Sequence, residues 1–343
     1  MFSVGDIMQT NVVTVSEDAT AFDIATIIIE KHISCVVVMG NVIEDAVVFE
    51  KPSFLSKILG RKERPHVEKR TSKKPMGLIT ERDFTQKVLT ADVDASRFTA
   101  SEMMSPGIIS LESNATIVTA IGLMKKNGFR RIPVMEDGKL VGLVTQTDIL
   151  LASMSFLEKL QNEMNNNSVD MDEYKELLST SSELYNMPEK DVTVDDTVDK
   201  IMIQKVFIES VKTLVSESAN VMADKRYGCV IVMKGSSPVG IVSEKDLIKK
   251  VVLGKLDPEK ITLGQVMTSP IFSVRTTTKI SEATEIMKSK GFKRLPVVDD
   301  GILKGIVTQS DVRLAMGSAI RKAQSTFINQ WADLLQPAFS RKH

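Results

Sequence analysis

One seven-residue pattern occurs four times in this chain: a glycine, two apolar residues, a hydroxyl residue, two spacers and an aspartate. The copies are Gly77-Leu78-Ile79-Thr80-Glu81-Arg82-Asp83, Gly142-Leu143-Val144-Thr145-Gln146-Thr147-Asp148, Gly240-Ile241-Val242-Ser243-Glu244-Lys245-Asp246 and Gly305-Ile306-Val307-Thr308-Gln309-Ser310-Asp311. A self-match of this frequency constrains the fold more than any single motif, because a repeating chain is built of similar units that pack on one another. Asp83 and Asp246 are 163 residues apart, as are Asp148 and Asp311, so the repeats nest as two similar halves of two repeats each. The second and fourth repeats match without a gap from Met104 to Ala152 against Met267 to Ala315. The first and third are more distant, but Ser34-Cys35-Val36 aligns with Gly228-Cys229-Val230.

Each repeat reads as strand, helix, strand, strand, helix. In the first, the β-branched run Val12 to Val15 is a strand, and Ala21, Ile24, Ala25, Ile28 and Ile29 lie on one helical face. Cys35 to Val38 and Met76 to Ile79 are two further strands, and Thr80 starts a helix running to about Leu89. In the second repeat Ile108 to Leu111 is the first strand, Ile117, Ala120, Ile121 and Met124 give the helix face, and Gly128 suits the left-handed residue past its end. Ile132 to Met135 and Leu140 to Val144 pair across the turn Glu136 to Lys139. Pro133 inside a strand predicts an edge position, since proline cannot donate to a ladder.

Three segments fall outside the repeats. Met39 to Gly77 spans 38 residues where Met233 to Gly240 spans 7, an insertion of 31. From residue 50 to 74 it carries nine Lys and Arg against three Glu, and reads as a solvated, partly disordered loop or as a docking arm for an anionic partner or the acidic linker. That linker has twelve Asp and Glu against three Lys between residues 155 and 199. In the tail, Ile320, Phe327, Ile328, Trp331, Leu334 and Leu335 have helical spacing, either to pack on their own domain or to dock a partner.

With 43% hydrophobic and 26% charged residues the composition is that of a globular protein, and a formal charge of zero gives no whole-chain reason to expect nucleic acid or an anionic membrane. Cys35 and Cys229, at equivalent places, read as small strand residues and not as a disulfide or metal pair, which points to a reducing, cytoplasmic setting. Neither a signal peptide nor an apolar run of about 20 residues is expected from the sequence.

Four such repeats, with Phe-Arg-Arg-Ile-Pro-Val and Phe-Lys-Arg-Leu-Pro-Val before two of the motifs, resemble CBS domains. The resemblance implies an α+β fold in which four repeats pair into two Bateman modules and a pseudo-twofold disk, laid out as in the gamma subunit of AMP-activated protein kinase. It divides the chain into repeat 1 (1–95, with the basic insertion 41–74), repeat 2 (96–153), an acidic linker (154–197), repeat 3 (198–256), repeat 4 (257–318) and a helical tail (319–343). The disk closes within one chain, or two chains associate further.

The same resemblance implies AMP, ADP or ATP as ligands, with S-adenosylmethionine ranked behind them. It assigns a phosphate to the hydroxyls of Thr80, Thr145, Ser243 and Thr308, and ribose hydroxyls to Asp83, Asp148, Asp246 and Asp311. A hydroxyl where a helix begins suits an anion, and an ionised carboxylate accepts from neighbouring hydroxyls. The identical spacing also satisfies a helix capping box, and the two roles can coexist. Arg130-Arg131 and Lys293-Arg294 precede the second strand of the even repeats, where the family often places phosphate-contacting residues; the odd repeats carry no charge there, although Arg82 and Lys245 could supply it. Unequal sites are therefore expected, with the even repeats central to phosphate affinity. Val13, Ile109, Phe207 or Phe272 of the first strands could pack on an adenine, while the two phenylalanines could instead be core or fill a site.

No catalytic or metal-binding motif is present in the sequence, and His32, His66 and His343 recur in no pattern. The repeats leave no room within 343 residues for a catalytic domain. The expected function is a non-enzymatic adenine-nucleotide sensor that regulates a separate, unidentified protein. The alternative is an interaction scaffold with degenerate pockets whose insertion binds an acidic protein or, less favoured, nucleic acid; no membrane partner is expected.

Overall fold

The computed structural model describes residues 3–48, 66–91, 93–152, 155, 192–313 and 315. The acidic linker at 156–191, the tip of the insertion at 49–65 and the expected helical tail 319–343 lie outside the described residues.

Each repeat forms the expected α+β unit for local reasons. The helix Ala21–Glu30 starts at Thr20, whose hydroxyl accepts from Asp23 N at 3.1 Å, and it buries Ala21, Ile24, Ala25 and Ile28. In repeat 2, Ile117–Asn127 buries Ile117, Ala120, Ile121 and Met124 and ends on Gly128 at φ 68°. The hairpin Arg131–Glu136 with Lys139–Thr145 turns through Asp137 and Gly138, both at positive φ.

Two sequence expectations need correction. The strand Arg131–Glu136 is central, flanked by Leu111–Glu112 and Lys139–Thr145, so Pro133 is not on an edge. In the odd repeats the residue at its place donates to the parallel first strand, Val37 N to Val13 O at 3.1 Å and Ile231 N to Phe207 O at 3.0 Å. Pro133 and Pro296 have no proton to give. The parallel strand shrinks accordingly to Leu111–Glu112 in repeat 2 and a single bridge at Val274 in repeat 4, against Thr14–Ser16 and Ile208–Ser210 in the odd repeats.

The insertion is the second correction. Its two arms are not loop but an antiparallel pair, Cys35–Val48 with His66–Thr80, which shifts register once between Val38 and Met39 and then pairs out to Val48 opposite His66. The β-branched residues Val42, Ile43, Val47 and Val48 favour strand, and the register sets Glu44 opposite Arg70 and Asp45 opposite Lys69.

Repeats pair by exchange. The segment entering repeat 2 pairs Ser105 and Pro106 with Leu78 and Gly77 of repeat 1, and Gln9, entering repeat 1, bridges to Leu143 of repeat 2. Repeats 3 and 4 do the same through Thr268 with Ile241 and Ile203 with Ile306. This explains the motif glycine. A Cβ on Gly77, Gly142, Gly240 or Gly305 would collide with Met104, Met8, Met267 or Met202, each from the sister repeat.

The two modules then meet repeat to repeat. A single apolar core contains Ile24, Ile28, Phe84 and Val88 of repeat 1 with Met222, Val230, Leu247 and Val251 of repeat 3. The helix Ala21–Glu30 packs on Leu247–Val252, and Val215–Lys225 packs on Phe84–Leu89. Both of these receiving segments are π-helical turns, continuing the helices that start at Thr80 and Ser243. Repeats 2 and 4 keep separate cores. Their helices meet where Arg313 donates to Thr147 Oγ1 at 3.0 Å.

Because a Cβ at Gly305 would stand 2.8 Å from the backbone oxygen of Ile203, Gly305→Val is expected to cost about 1–3 kcal/mol through overpacking. Urea unfolding with an unshifted midpoint would contradict the exchanged pairing.

Candidate functional site

The four repeats converge on one cavity of about 1040 Å³ at the junction of the modules. Its size suits a small molecule. Thr80, Asp83, Thr145 and Thr308 line it, as do both basic pairs, Arg130-Arg131 and Lys293-Arg294, and Val13, Ile109 and Phe207, which lie just before the first strands rather than in them. Asp148, Ser243, Asp246, Asp311 and Phe272 do not. Phe272 is 40% exposed and meets Phe292 at 5.5 Å between ring centres, with Lys290 Nζ over its ring at 5.1 Å from the centre.

The motif residues are first of all caps. In each copy the aspartate Oδ2 accepts both the backbone N–H and the hydroxyl of the residue three positions before it, at 2.5 to 2.9 Å. Asp148, Asp246 and Asp311 also donate their backbone N–H back to the hydroxyl. The first helical N–H is engaged as well: Glu81, Gln146, Glu244 and Gln309 donate to the carbonyls of Ser34, Arg130, Gly228 and Lys293. Few backbone donors therefore remain for an anion at these helix starts. The second carboxylate oxygen serves pairing in two copies, Asp148 Oδ1 accepting from Gln9 Nε2 at 2.8 Å and Asp246 Oδ1 from Thr268 Oγ1 at 2.7 Å.

Charge in the cavity comes from side chains. Arg82, Arg130, Arg131, Lys205, Arg226, Lys293, Arg294 and Arg313 line it against three acids, Glu81, Asp83 and Glu244. Glu81 and Glu244 are the odd repeats' first spacers, each 6% exposed. Both are held by cations across the disk. Lys293 Nζ lies 2.6 Å from Glu81 Oε2, Arg82 Nε 3.4 Å from Glu244 Oε1, and Arg294 3.9 Å from Glu244 Oε2. The pairs Lys293–Glu81 and Arg82–Glu244 join the two modules. Glu81 Oε1 is buried without a hydrogen-bond partner. Arg130 is different, since burial and the adjacent Arg82 and Arg131 guanidiniums hold its pKa below the usual range. Of the two odd-motif cations, Arg82 lines the cavity and Lys245 does not.

Sequence reasoning did not single out several cavity residues. Arg226 and His32 end the first helices of the odd repeats at φ 57° and 53°, where the even repeats have Gly128 and Gly291. A non-glycine residue in this region costs about 1–3 kcal/mol and tends to cluster at functional sites; the signal was visible only as two polar residues aligned with glycines. Tyr227 stacks on Phe207 at 5.1 Å and 14°, leaving no room for a third ring between them.

Cys35 and Cys229 both line the cavity. They are free thiols, Cys229 being buried. Burial pushes its pKa up to about 11. No helix among the described residues is long and apolar enough to cross a membrane, and no group of three or more His, Cys, Asp or Glu among them could hold a metal ion.

The fold and cavity define a class of protein, two paired modules of two repeats enclosing a small-molecule site. The chain belongs to the CBS domain family: the family model matches residues 4–44, 100–155, 198–253 and 263–318. Its first match stops inside the insertion, so Thr80 and Asp83 lie beyond it. The CBS domain-containing protein CBSCBSPB2 of Arabidopsis thaliana is 25% identical over 279 residues, covering 77% of this chain and 49% of that protein. The uncharacterized protein MJ1404 of Methanocaldococcus jannaschii is 26% identical over 253 residues, covering 62% of this chain and 60% of its own. The chain thus spans about half the length of the Arabidopsis relatives it matches. The crystal structure of MJ1225 from the same archaeon, described as a candidate archaeal homologue of g-AMPK, covers 91% of this chain and 99% of its own at a TM-score of 0.59 and 18% identity. That likeness is one of fold, and it extends to all four repeats.

Two measurements follow from the geometry. A double-mutant cycle on Lys293→Met and Glu81→Gln is expected to give a coupling of about 1–3 kcal/mol, above the ~0.2–1 kcal/mol of exposed pairs; additive effects would mean that the pair does not join the modules. At pH 8, three units below the Cys229 pKa of about 11, almost no thiolate forms there. Mass spectrometry after alkylation should find Cys35 modified well before Cys229.

Proposed function

We propose that this protein is a non-enzymatic regulator that holds an adenine nucleotide in the central cavity and transmits its presence through the geometry of the two modules. The observation carrying this reading is the set of cations drawn from all four repeats onto one small-molecule cavity with few acids to balance them. Such a site favours a polyanion. It disfavours S-adenosylmethionine, whose sulfonium adds a like charge, and so narrows the ligands implied by family membership to AMP, ADP and ATP. The adenine packs against Val13, Ile109 or Phe207, all of which line the cavity, Phe207 having one face stacked on Tyr227.

The motif hydroxyls donate to their own aspartates, so they contact phosphate as acceptors of a ligand proton or after rotating. Arginine and lysine are the main phosphate donors. Regulation follows from where they sit: a ligand that draws Lys293 or Arg82 toward itself competes with Glu81 and Glu244 of the opposite module, and so interacts differently with two module arrangements, as signalling requires. The regulated partner is a separate protein or a further segment, consistent with relatives about twice as long. The protein acts in the cytoplasm, where its two free thiols stay reduced.

A docking role for the insertion also has an observation in its favour. The hairpin arms run on past both flanking strands, whose pairing stops at Met39 and Gly77.

Calorimetric titration with AMP, ADP, ATP and S-adenosylmethionine tests the main reading. At least one of the three nucleotides should bind and S-adenosylmethionine should not; absence of nucleotide binding at millimolar concentration would overturn it.

A further inference from the structure

The junction of repeats 1 and 3 consists of two equivalent halves. In one, the helix Ala21–Glu30 of repeat 1 packs on the turn Leu247–Val252 of repeat 3; in the other, Val215–Lys225 of repeat 3 packs on Phe84–Leu89 of repeat 1. The equivalence holds residue by residue. Ala21 N and Phe22 N donate to Phe98 O and Ala95 O, as Val215 N and Ser216 N donate to Ile261 O and Pro258 O, and the motif sets Phe84 level with Leu247. Ile24 therefore corresponds to Ser218, and Ile248 to Thr85.

The halves nevertheless differ in chemistry. Ile24 and Ile248, both fully buried, belong to the first half, and Ser218 and Thr85, each 1% exposed, to the second. Both of these hydroxyls are buried without a hydrogen-bond partner. Gln86, next to Thr85, donates to Ala223 O at 3.4 Å, which sets the turn bearing one hydroxyl against the helix bearing the other. An isolated buried hydroxyl is costly, yet a hydroxyl both donates and accepts, so two in one half can serve each other after rotation. The first half carries a further one-sided contact, Lys255 Nζ of repeat 3 standing 5.1 Å from the centre of the Phe22 ring of repeat 1. The residues aligned with Lys255 and Phe22 are Asp92 and Ser216.

We infer that Ile24, Thr85, Ser218 and Ile248 make this junction selective for the unlike repeat, so that a repeat 1 face accepts a repeat 3 face and rejects a second copy of itself. When repeat 1 meets repeat 3, isoleucine shares a half with isoleucine and hydroxyl with hydroxyl. Two repeat 1 faces would set Ile24 against Thr85 in both halves, and two repeat 3 faces would set Ser218 against Ile248. Each hydroxyl would then share its half with an aliphatic side chain that neither donates nor accepts. Lys255 and Phe22 sort the same way, because a like pairing brings to these positions either two rings without a lysine or two lysines without a ring. Buried polar groups fix the partner and register of paired helices by such means, at a cost in stability. The partner this surface fits is the chain's other module, and two copies can join through it only by reciprocal exchange, repeat 1 of each on repeat 3 of the other. The selectivity does not depend on what the cavity holds.

The test exchanges side chains in the full chain without changing its composition. Swapping the two residues within repeat 3, Ser218→Ile with Ile248→Ser, gives it the pattern of repeat 1; swapping those within repeat 1, Ile24→Thr with Thr85→Ile, gives it the pattern of repeat 3. Either swap mismatches both halves, and so measures inside one chain what a like pairing costs. The two swaps together restore like with like, the halves reversed. Each single swap should lower the urea midpoint by about 0.5 M or more, and the combined swap should recover most of that loss. Effects of the substitutions on their own helices add and cannot produce a recovery. Single swaps as stable as wild type, or losses that add in the combined swap, overturn the selectivity. If the swapped chains do not fold, the milder changes Thr85→Val and Ser218→Ala decide: a double variant more stable than the sum of the singles predicts supports the shared hydroxyls, and additive shifts overturn the inference.

Discussion

The close approach of a methionine from one repeat to a strand glycine in its sister is the contact on which the rest of the architecture depends. Gly77, Gly142, Gly240 and Gly305 each lie where a side chain would strike Met104, Met8, Met267 or Met202. The contact is reciprocal within each module, and it brings the incoming segment into hydrogen-bonding distance of the glycine-bearing strand, as between Gln9 and Leu143 or Thr268 and Ile241. Sheets of two to four strands cannot each bury both faces alone. Exchange of entry segments is how each pair of repeats solves this, and it sets the two helix starts of a module side by side.

That arrangement accounts for the motif. The glycine admits the partner, the apolar pair completes a buried strand, the hydroxyl and aspartate cap the following helix, and in two copies the spare carboxylate oxygen holds the sister's entry segment. Helix starts from both modules then surround one cavity. The spacers between hydroxyl and aspartate are free of these duties, so they are where the repeats diverge: glutamate and arginine in repeat 1, glutamate and lysine in repeat 3, glutamine with threonine or serine in repeats 2 and 4. The cavity inherits its polarity from those few positions, with paired glutamates at the odd motifs and neutral glutamines at the even ones.

Much of the fold was legible in the sequence. Periodicity at Ala21, Ile24, Ala25 and Ile28, the Gly128 cap and the Asp137-Gly138 turn are local signals, and local signals survive because they depend on backbone geometry within a few residues. Pro133 misled because its strand is central and its missing donor shortens a neighbour instead. The insertion misled because its charge outweighed the strand propensity of Val42, Ile43, Val47 and Val48. The site was legible in part: Arg130-Arg131 and Lys293-Arg294 do line the cavity, as do three of the four motif hydroxyls, whereas three of the four motif aspartates do not.

The sequence by itself determined that this is a protein of four like units in two pairs, since repetition in register requires repeated structure, and it determined where each helix and turn begins. Only the tertiary structure decided which charges face one another. Lys293 and Glu81 are 212 residues apart, and Arg313 and Thr147 are 166 apart. No spacing along the chain encodes such meetings, because they arise from two levels of packing, repeat on repeat and module on module. Family resemblance and local pattern say that a cavity will exist; its electrostatic character is settled where side chains from distant repeats come within a few ångströms, in a medium less polar than water.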